Sequence, residues 1–313
     1  MDVITFGESM VLFHPSRRGP LRYVQEFEKK VGGAESNVAI ALARLGHDVS
    51  WISRLGNDEF GLYIRNFIRG EGVDTSSVTF DDSRSTGLFF KETFHFGDPK
   101  VYYYRHDSAA SGMGPADIKE SDICKAKILH ITGITPVLSQ SCKELTEKAI
   151  EIAKRNKVRV VFDPNIRLKL CSKEYARKIL MEIASKCDIV LPGIEEGIIL
   201  TGEKTPEKIS KCLIQNGTGA VVVKMGALGA FYQNGIEQGF VNGYKVDHVV
   251  DTVGAGDGFA AGFISGILRG WSYQDAVRLG NRIGAYAVTV PGDVEGYPYW
   301  SQIDPNQNEE ILR

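Results

Sequence analysis

Short apolar runs alternate with segments of helical period through most of this 313-residue chain. The pairs are residues 49–52 before 60–69, 128–131 before 140–155, 158–162 before 173–184, and 188–191 before 195–200. Such alternation is typical of βαβ crossovers, in which a helix connects two parallel strands of one sheet. The sequence therefore predicts an α/β fold with a largely parallel central sheet that helices cover on both faces.

Two stretches interrupt this alternation, because their strand-like segments follow one another without an intervening helix. We interpret them as a small antiparallel sheet beside the main body, suited to act as a lid of about residues 11–31 and 86–108. Its predicted strands are residues 11–13, 23–31, 87–94 and 101–105, and the last two are joined by a turn at residues 97–100.

The composition excludes several classes of protein. The formal net charge is only −2 and its charged residues are interspersed, so no basic face indicates a nucleic-acid partner. The start of the chain carries no basic leader, and no long uninterrupted apolar stretch follows, so we expect a cytoplasmic protein that is neither secreted nor membrane-spanning. Five widely spaced cysteines without a CxxC pair favour reduced thiols: Cys124, Cys142, Cys171, Cys187 and Cys212.

The most informative segment spans residues 251–262 and reads DTVGAGDGFAAG. Its glycines permit a tight turn with exposed amides, and the following apolar run predicts a buried helix from Asp257, whose start would attract an anion. The Asp257 carboxylate would repel a bound anion. This conflict disappears if Asp257 accepts a proton from an attacking hydroxyl while the amides of Gly254, Ala255 and Gly256 hold the phosphoryl group. Taken alone, the segment remains open to a second interpretation, a turn with an N-capping aspartate.

A second glycine-rich segment lies near the start of the chain. Gly32 and Gly33 allow the backbone to approach a ligand without a Cβ, and Asn37 offers a donor and an acceptor to hydroxyl groups. The alternative for Asn37 is a residue on a helix surface. Residues 32–39, GGAESNVA, and residues 251–263, DTVGAGDGFAAGF, resemble the two signatures of the ribokinase-like, PfkB-type carbohydrate kinases, in the expected order.

This resemblance covers essentially the whole chain and implies one ribokinase-like kinase domain, residues 1–313, of three-layer α/β/α type with a β lid. It implies that Asp257 is the catalytic base, that residues 254–256 form the anion hole, and that Gly33 and Asn37 contact a sugar. The implied cofactors are ATP and Mg²⁺, and the resemblance leaves open whether a monovalent cation is bound as well. The implied partners are small molecules, and self-association of relatives through their lids implies a homo-oligomer.

Further matches concern the nucleotide. Lys224, Gly226 and Gly229 follow the apolar run 220–223 and resemble the K-x-G-x-x-G element of the family, which implies that they line the ATP cleft. For Lys224 the alternative is a charge at the end of a strand. Asn281 aligns with a residue near the adenine in relatives.

One departure from the family concerns magnesium. Relatives carry an N-x-x-E element near the phosphates, whereas here Gly193 stands in place of the asparagine and only Glu196 remains. The resemblance implies that Glu196 supports Mg²⁺ through water, and it leaves the role of the missing asparagine in doubt.

The lid and its neighbouring loops bear on the phosphate acceptor. Tyr103 and Arg105 lie in a segment, residues 101–109, that resembles the YYR-x-x-SA segment of 2-keto-3-deoxygluconate kinases, as does the segment around Ile134. Arg167 ends a D-x-N-x-R element shared with fructokinases. Two arginines and a tyrosine suit a sugar acid, because guanidinium groups bind a carboxylate through paired donors.

Three more residues bear on this prediction. Asp293 aligns with a sugar-contacting acid in close relatives, and Gly32 belongs to the same predicted binding wall. Phe89 stands where some relatives carry tyrosine, so one hydroxyl contact is absent. Without the family context, residues 103–105 also fit a strand with alternating faces, and Arg167 fits a surface salt bridge.

We therefore predict an ATP-dependent kinase that converts 2-keto-3-deoxygluconate to its 6-phosphate. The alternative in the same class is a fructokinase or another PfkB-type sugar kinase, and the alternative in another class is a sugar or nucleotide sensor without catalysis. The chain has no GxxxxGK[ST] loop and no GxGxxG after its first apolar run, which argues against a P-loop enzyme and a dinucleotide dehydrogenase. Its six histidines form no HxH, HExxH or HxxxH motif, which argues against metal ligation and against a Ser-His-Asp hydrolase.

Overall fold

A computed structural model of the chain describes residues 1–94 and 100–304. It contains one large and one small β-sheet, with helices between the strands of the large sheet. The strands are β1 (Val3–Phe6), β2 (Met10–Pro15), β3 (Phe27–Gly32), β4 (Val49–Gly56), β5 (Val78–Asp81), β6 (Leu88–Glu92), β7 (Lys100–Tyr104), β8 (Ile128–Thr132), β9 (Arg159–Asp163), β10 (Ile189–Val190), β11 (Ala220–Lys224), β12 (Gly229–Gln233) and β13 (Gln238–Asn242).

Most of the longer helices begin at a polar residue whose side chain accepts a hydrogen bond from the first turn, as Asp58, Ser139, Ser172, Thr205 and Ser272 do. These caps satisfy N–H groups that have no partner within the helix. The helices are α1 (Ala34–Arg44), α2 (Glu59–Gly70), α3 (Glu120–Ile123), α4 (Thr135–Leu138), α5 (Gln140–Arg155), α6 (Lys173–Ala184), α7 (Ile194–Thr201), α8 (Pro206–Gln215), α9 (Ala255–Leu268), α10 (Tyr273–Ala287) and α11 (Trp300–Ile303).

The large sheet has the strand order β13-β12-β11-β10-β9-β8-β1-β4-β5. All neighbours from β11 to β5 pair in parallel, and β12 pairs antiparallel with both β11 and β13 at one edge. The predicted α/β fold with a mainly parallel sheet is therefore confirmed. The predicted helices at residues 140–155 and 173–184 have those bounds, whereas the predicted strand at 188–191 is reduced to β10.

Successive residues of the central strands point to opposite faces of this sheet, as the pleat requires. In β9, Val161 belongs to the core beneath α1, α9 and α10, while Val160 and Phe162 belong to the core beneath α5, α6 and α8. Both faces are thus buried, which explains why the strands read as continuous apolar runs rather than as alternating ones.

The small sheet has the order β3-β2-β6-β7. Its outer pairs β2–β3 and β6–β7 are antiparallel, as predicted for the lid, and the two pairs join in parallel through β2 and β6. The prediction that a strand begins at Tyr23 is wrong, because a 3₁₀ turn occupies Leu21–Tyr23 after Pro20 and β3 begins only at Phe27. The predicted turn at 97–100 lies outside the described residues except for Lys100, which opens β7.

The carboxyl ends of β1, β8, β9 and β11 meet at one edge of the large sheet, where parallel α/β proteins bind ligands. Helix α9 begins two residues before the predicted start, so that Asp257 lies in its first turn. In the described ranges no helix is both long and apolar enough to cross a bilayer, and the five cysteines form no disulfide.

Candidate active site

A cavity of about 460 Å³ opens between this edge of the large sheet and the lid. Strand ends, the starts of α1 and α9, and the lid strands β6 and β7 all contribute to its wall. The predicted site residues that line it are Gly32, Gly33, Asn37, Phe89, Tyr103, Arg105, Ile134, Arg167, Glu196, Lys224, Gly254, Gly256, Asp257 and Asp293.

Asp257 lies at the centre of this wall and is only 8% exposed. Its Oδ2 accepts a hydrogen bond from Nδ2 of Asn37 at 2.8 Å, and its Oδ1 accepts one from Nδ2 of Asn165 at 3.3 Å. Asn37 is placed by α1 and Asn165 by the loop after β9, so the carboxylate is held from two sides. Such a fixed carboxylate at a cavity can accept a proton from a bound hydroxyl.

The environment of Asp257 tunes its basicity. Burial raises the pKa of Asp257 to about 7, and the nearby Asp163 carboxylate raises it as well. The hydrogen bond from Asn37 and the positive charges of Arg167 and Lys224 act in the opposite direction. A carboxylate with a pKa near neutrality is a stronger base than an ordinary aspartate and is still ionised in a large fraction of molecules at pH 7.

A group of free backbone amides adjoins Asp257. The N–H groups of Gly254, Ala255, Gly256 and Asp257 have no acceptor in the described part of the chain, as expected at the start of a helix. Gly254 turns the chain into α9 with a φ of 79°, and a Cβ there would lie 2.1 Å from the carbonyl oxygen of Asp293. Only glycine fits this position, and the resulting amide cluster can bind an anionic oxygen.

A buried ion pair lies on the other side of the amide cluster. Nζ of Lys224 is 2.6 Å from Oδ2 of Asp163, and both groups come from strand ends. A Cβ on Gly256 would stand 3.7 Å from the same Nζ, which places the ammonium beside the cluster. Lys224 is thus both a strand-end charge and a cation next to the anion site.

Glu196 borders the same region. Its Oε1 accepts a hydrogen bond from the N–H of Ile166 at 2.8 Å, and its Oε2 accepts one from the N–H of Gly193 at 2.7 Å. Among the described residues no group of three or more acidic, histidine or cysteine side chains could enclose a metal ion. The geometry therefore fits Mg²⁺ only as an ion held by phosphate and water, with Glu196 and Asp163 as outer carboxylates.

Arg105 reaches the cavity from the end of β7 but is not a free cation. Its Nη2 forms an ion pair with Oε2 of Glu8, a buried carboxylate whose Oε1 also accepts a hydrogen bond from Ser108 at 2.5 Å. Nε of Arg105 is buried without an acceptor among the described residues. The guanidinium is therefore oriented by Glu8 and keeps an unused donor.

The remaining lid residues form an aromatic wall. Tyr103 stacks on Phe89 with ring centroids 5.8 Å apart, and its ring is 37% exposed. The Tyr103 ring also lies beneath Nζ of Lys169 and the guanidinium of Arg105. Arg167 lies in the loop after β9 and is exposed where it lines the cavity, and its side chain makes no hydrogen bond or ion pair within the described ranges.

Four predicted residues do not line the cavity. The N–H of Ala255 belongs to the amide cluster, but its side chain packs against the core. Gly226 and Gly229 form a turn away from the cavity, where a Cβ on Gly229 would lie 2.0 Å from the carbonyl oxygen of Val241. Asn281 donates to the carbonyl groups of Val241 and Asn242 at 3.2 and 3.1 Å. Their nucleotide roles remain predictions.

Sequence reasoning missed several residues of the wall. Asn165 lies inside the D-x-N-x-R element, where its amide was not singled out, and Glu8 directly follows the first strand; the convergence of strand ends could have identified both. Nothing in the sequence distinguishes Lys91 from an exposed lysine of a lid strand, so it was not predicted to line the site. The other missed lining residues are Met10, Ala34, Val101, Asp163, Gly193, Thr252 and Val253.

Comparison with known proteins shows which family this chain resembles. Residues 1–299 match the pfkB family of carbohydrate kinases. The chain is 45% identical over 300 residues to 2-dehydro-3-deoxygluconokinase of Bacillus subtilis (strain 168), covering 95% of this chain and 93% of that protein. No assignment of individual site residues follows from these identities.

Two solved structures share the fold. A protein described as ribokinase II from E. coli, in complex with ATP and Mg²⁺, superimposes with a TM-score of 0.89 at 29% identity, covering 96% of this chain and 97% of its own. A double-mutant fructokinase from Vibrio cholerae O395, bound to fructose, ADP and a potassium ion, superimposes with a TM-score of 0.85 at 28% identity, covering 95% and 96%. The chain belongs to the pfkB family of carbohydrate kinases.

Proposed function

We propose that this kinase transfers the γ-phosphoryl group of ATP to the 6-hydroxyl of 2-keto-3-deoxygluconate, with Asp257 as the base. The observation that carries this proposal is the position of Asp257: a carboxylate with a pKa of about 7 stands beside four free amides in a cavity. A hydroxyl acceptor and a phosphoryl group can meet there.

In the proposed reaction the acceptor hydroxyl donates its proton to Asp257 as its oxygen forms a bond to the γ-phosphorus. The bond between that phosphorus and the oxygen bridging to the β-phosphate breaks, and ADP leaves with the electron pair. The amides of residues 254–257 donate hydrogen bonds to the phosphoryl oxygens, where negative charge accumulates. Lys224 adds a positive charge at the same place.

Bound Mg²⁺ would neutralise charge on the ATP phosphates. Glu196 and Asp163 would hold it through water, since both carboxylates already accept protein hydrogen bonds. The ATP and Mg²⁺ in the E. coli neighbour and the potassium ion in the fructokinase support these cofactors and leave a monovalent cation open. Gly226, Gly229 and Asn281 would contribute to the nucleotide side.

Arg105, which follows lid strand β7, and Arg167, in the loop after β9, would bind the substrate carboxylate from two sides. The side chain of Arg167 has no hydrogen-bond or ion-pair partner among the described residues, so it offers unused donors, and Arg105 lines the cavity beside its partner Glu8. Tyr103, Asn37 and Asp293 would contact the remaining oxygens of the acid, and Gly32, Gly33, Phe89 and Ile134 would shape the wall. The similarity to the Bacillus subtilis enzyme supports this acceptor.

One observation favours a fructokinase as the second candidate. Glu8 already neutralises Arg105 in an ion pair, so the acceptor end carries less positive charge than two free arginines would give. A neutral ketohexose requires no cationic pair. The sequence element of residues 163–167 is also shared with fructokinases.

We further propose that residues 1–313 act as one kinase domain with the lid at residues 11–31 and 86–108. The protein would work in the cytoplasm and form a homo-oligomer through lid contacts. Exposed aromatic side chains on β7, Tyr102 and Tyr104, are consistent with a lid that contacts another copy.

The deciding experiment is a coupled assay of purified protein with Mg²⁺-ATP and a panel of acceptors. We expect phosphorylation of 2-keto-3-deoxygluconate with a kcat/KM well above that for fructose, gluconate or ribose. Rapid turnover of fructose without turnover of the acid would replace the proposal by the fructokinase alternative. Absence of turnover with every sugar, together with saturable ATP binding, would favour the sensor.

A further inference from the structure

The side chain of Lys91 is buried at the junction between the lid and the main body. Lys91 belongs to lid strand β6 and is only 1% exposed. Its Nζ donates to Oδ2 of Asp251 at 3.2 Å and to Oδ1 of Asp293 at 3.3 Å. One ammonium therefore joins three segments that are far apart in the sequence.

The first of these partners opens the segment that forms the amide cluster. Oδ1 of Asp251 accepts a hydrogen bond from the N–H of Val253 at 3.1 Å, which fixes the turn before Gly254. The other carboxylate oxygen is the one that Lys91 holds. The position of Lys91 thus bears on where the free amides point.

The second partner connects the amide cluster to the predicted sugar wall. The carbonyl oxygen of Asp293 abuts Gly254, while its Oδ2 lies 2.6 Å from the place that a Cβ on Gly32 would occupy. Lys91 holds the remaining oxygen, Oδ1. Asp293 is therefore oriented with one carboxylate oxygen toward Gly32 and one toward the lid lysine.

We propose that Lys91 is a positioning residue that sets the distance between the acceptor hydroxyl and the phosphoryl group. It does so by fixing Asp293 on the acceptor side and the turn at Asp251 on the phosphoryl side from a single strand of the lid. This inference rests on the proposed function, since it concerns the two reactants of that reaction. Small displacements of reacting groups are costly in rate, which gives the bridge a measurable effect.

A role in stability alone predicts something different. A buried carboxylate, Asp293, and a partly buried one, Asp251, need a neutralising cation, and its loss would destabilise the fold without changing the rate of molecules that remain folded. A positioning role changes the kinetic constants of the folded protein. The two roles are therefore separated by measuring folding and kinetics on the same samples.

The test uses Lys91→Met, Lys91→Gln and Lys91→Arg, with Lys100→Met as the matched control on the neighbouring lid strand, where the side chain is exposed. We expect both neutral variants to lose about 100-fold in kcat/KM for the acceptor, mostly in kcat. We expect Lys91→Arg to have a kcat/KM between those of the neutral variants and the wild type. It keeps the positive charge, but its planar guanidinium group contacts the two carboxylates with a different geometry. The control should match the wild type.

The glutamine of Lys91→Gln can still donate a hydrogen bond to one carboxylate. This variant is therefore used for the kinetic test if Lys91→Met does not fold. A melting curve showing a folded Lys91→Gln protein with unchanged kcat and KM would overturn the proposal. If neither neutral variant folds, Lys91→Arg decides: a reduced kcat supports the positioning role, and a wild-type kcat leaves Lys91 with stability alone.

Failure of the proposed function is recognised separately, by a wild-type protein that phosphorylates none of the sugars. In that case calorimetry with Mg²⁺ and a non-hydrolysable ATP analogue, which keeps the γ-phosphate, is applied to the same variants. Weaker nucleotide binding by Lys91→Gln, with the control unchanged, retains the link between Lys91 and the amide cluster. Equal dissociation constants would break that link.

Discussion

The two ends of the cavity are built differently. At the phosphoryl end the groups belong to the main body: Asp257 is held by two asparagines, Lys224 pairs with Asp163, and the anion donors are backbone amides. At the lid end the groups are long or partly exposed side chains, such as Arg105 and Tyr103. The first end is fixed by the fold, whereas the second depends on side-chain choice.

This difference indicates how one fold can serve several sugars. Backbone amides and a helix start cannot be changed by a point substitution without changing the chain path, so the phosphoryl chemistry stays constant. Exposed lid side chains such as Tyr103 can be exchanged with little effect on the core. We therefore expect substitutions at the first end to remove activity toward every acceptor, and substitutions at the second end to change the preference among acceptors.

The largest effect should follow from Asp257→Asn at the phosphoryl end. Asparagine keeps the shape but cannot accept the proton, so we expect kcat to fall by about 100- to 10,000-fold with every acceptor. The measurement is ATP consumption with the acid and with fructose. Asp247→Asn, at an exposed aspartate paired only with Lys245 among the described residues, is the control and should leave kcat unchanged. Equal rates for Asp257→Asn and wild type would remove Asp257 from the mechanism.

Next in size, Arg167→Gln should discriminate between acceptors, because Arg167 is proposed to bind the substrate carboxylate. Loss of a charged donor to the substrate carboxylate should reduce kcat/KM for the acid by about 10- to 100-fold. Turnover of fructose, where detectable, should not change. Arg155→Gln, on an exposed ion pair with Glu120, controls for loss of surface charge. An equal loss with both acceptors would place Arg167 in the general machinery instead.

The pH dependence offers a sharper test of the phosphoryl end. Burial raises the pKa of Asp257 to about 7, and a base must be unprotonated, so kcat/KM should rise with pH and level off above that value. The hydrogen bond from Asn37 favours the ionised carboxylate, so Asn37→Ala should raise the pKa further. We expect the acidic limb to move to higher pH by about 0.5 to 1 unit. A shift to lower pH would contradict this assignment.

The smallest effect should come from Tyr103→Phe in the lid. The ring and its stacking on Phe89 remain, and only the hydroxyl donor is lost. We expect KM for the acid to rise about 2- to 10-fold with little change in kcat. Steady-state kinetics with varied acid at saturating ATP measures both constants. A large fall in kcat would show that the lid takes part in the chemistry, and the contrast between the two ends would fail.

Much of this architecture could be predicted from sequence because it depends on local pattern. The bounds of α5 and α6 follow from apolar spacing, and their serine caps mark the starts. The glycine-rich segment before Asp257 indicated both the free amides and the helix that follows. Such features require only neighbouring residues.

Other features could not be predicted, because they depend on contacts between distant segments. Lys91 reads as a surface residue until Asp251 and Asp293, 160 and 202 positions away, are brought against it. The pairing of Arg105 with Glu8 is of the same kind. The start of β3 was misplaced because a 3₁₀ turn at Leu21–Tyr23 has the same apolar and aromatic composition as a strand.

The hydrogen bond between Asn37 and Asp257 joins residues 220 positions apart, and it has a consequence for how the protein is made. A chain emerging from the ribosome completes its first helix long before the aspartate has been synthesised. Catalytic competence can therefore arise only after the last third has docked, a step that joins distant segments and is slow for that reason. Recovery of activity after dilution from denaturant should lag behind recovery of helical circular dichroism.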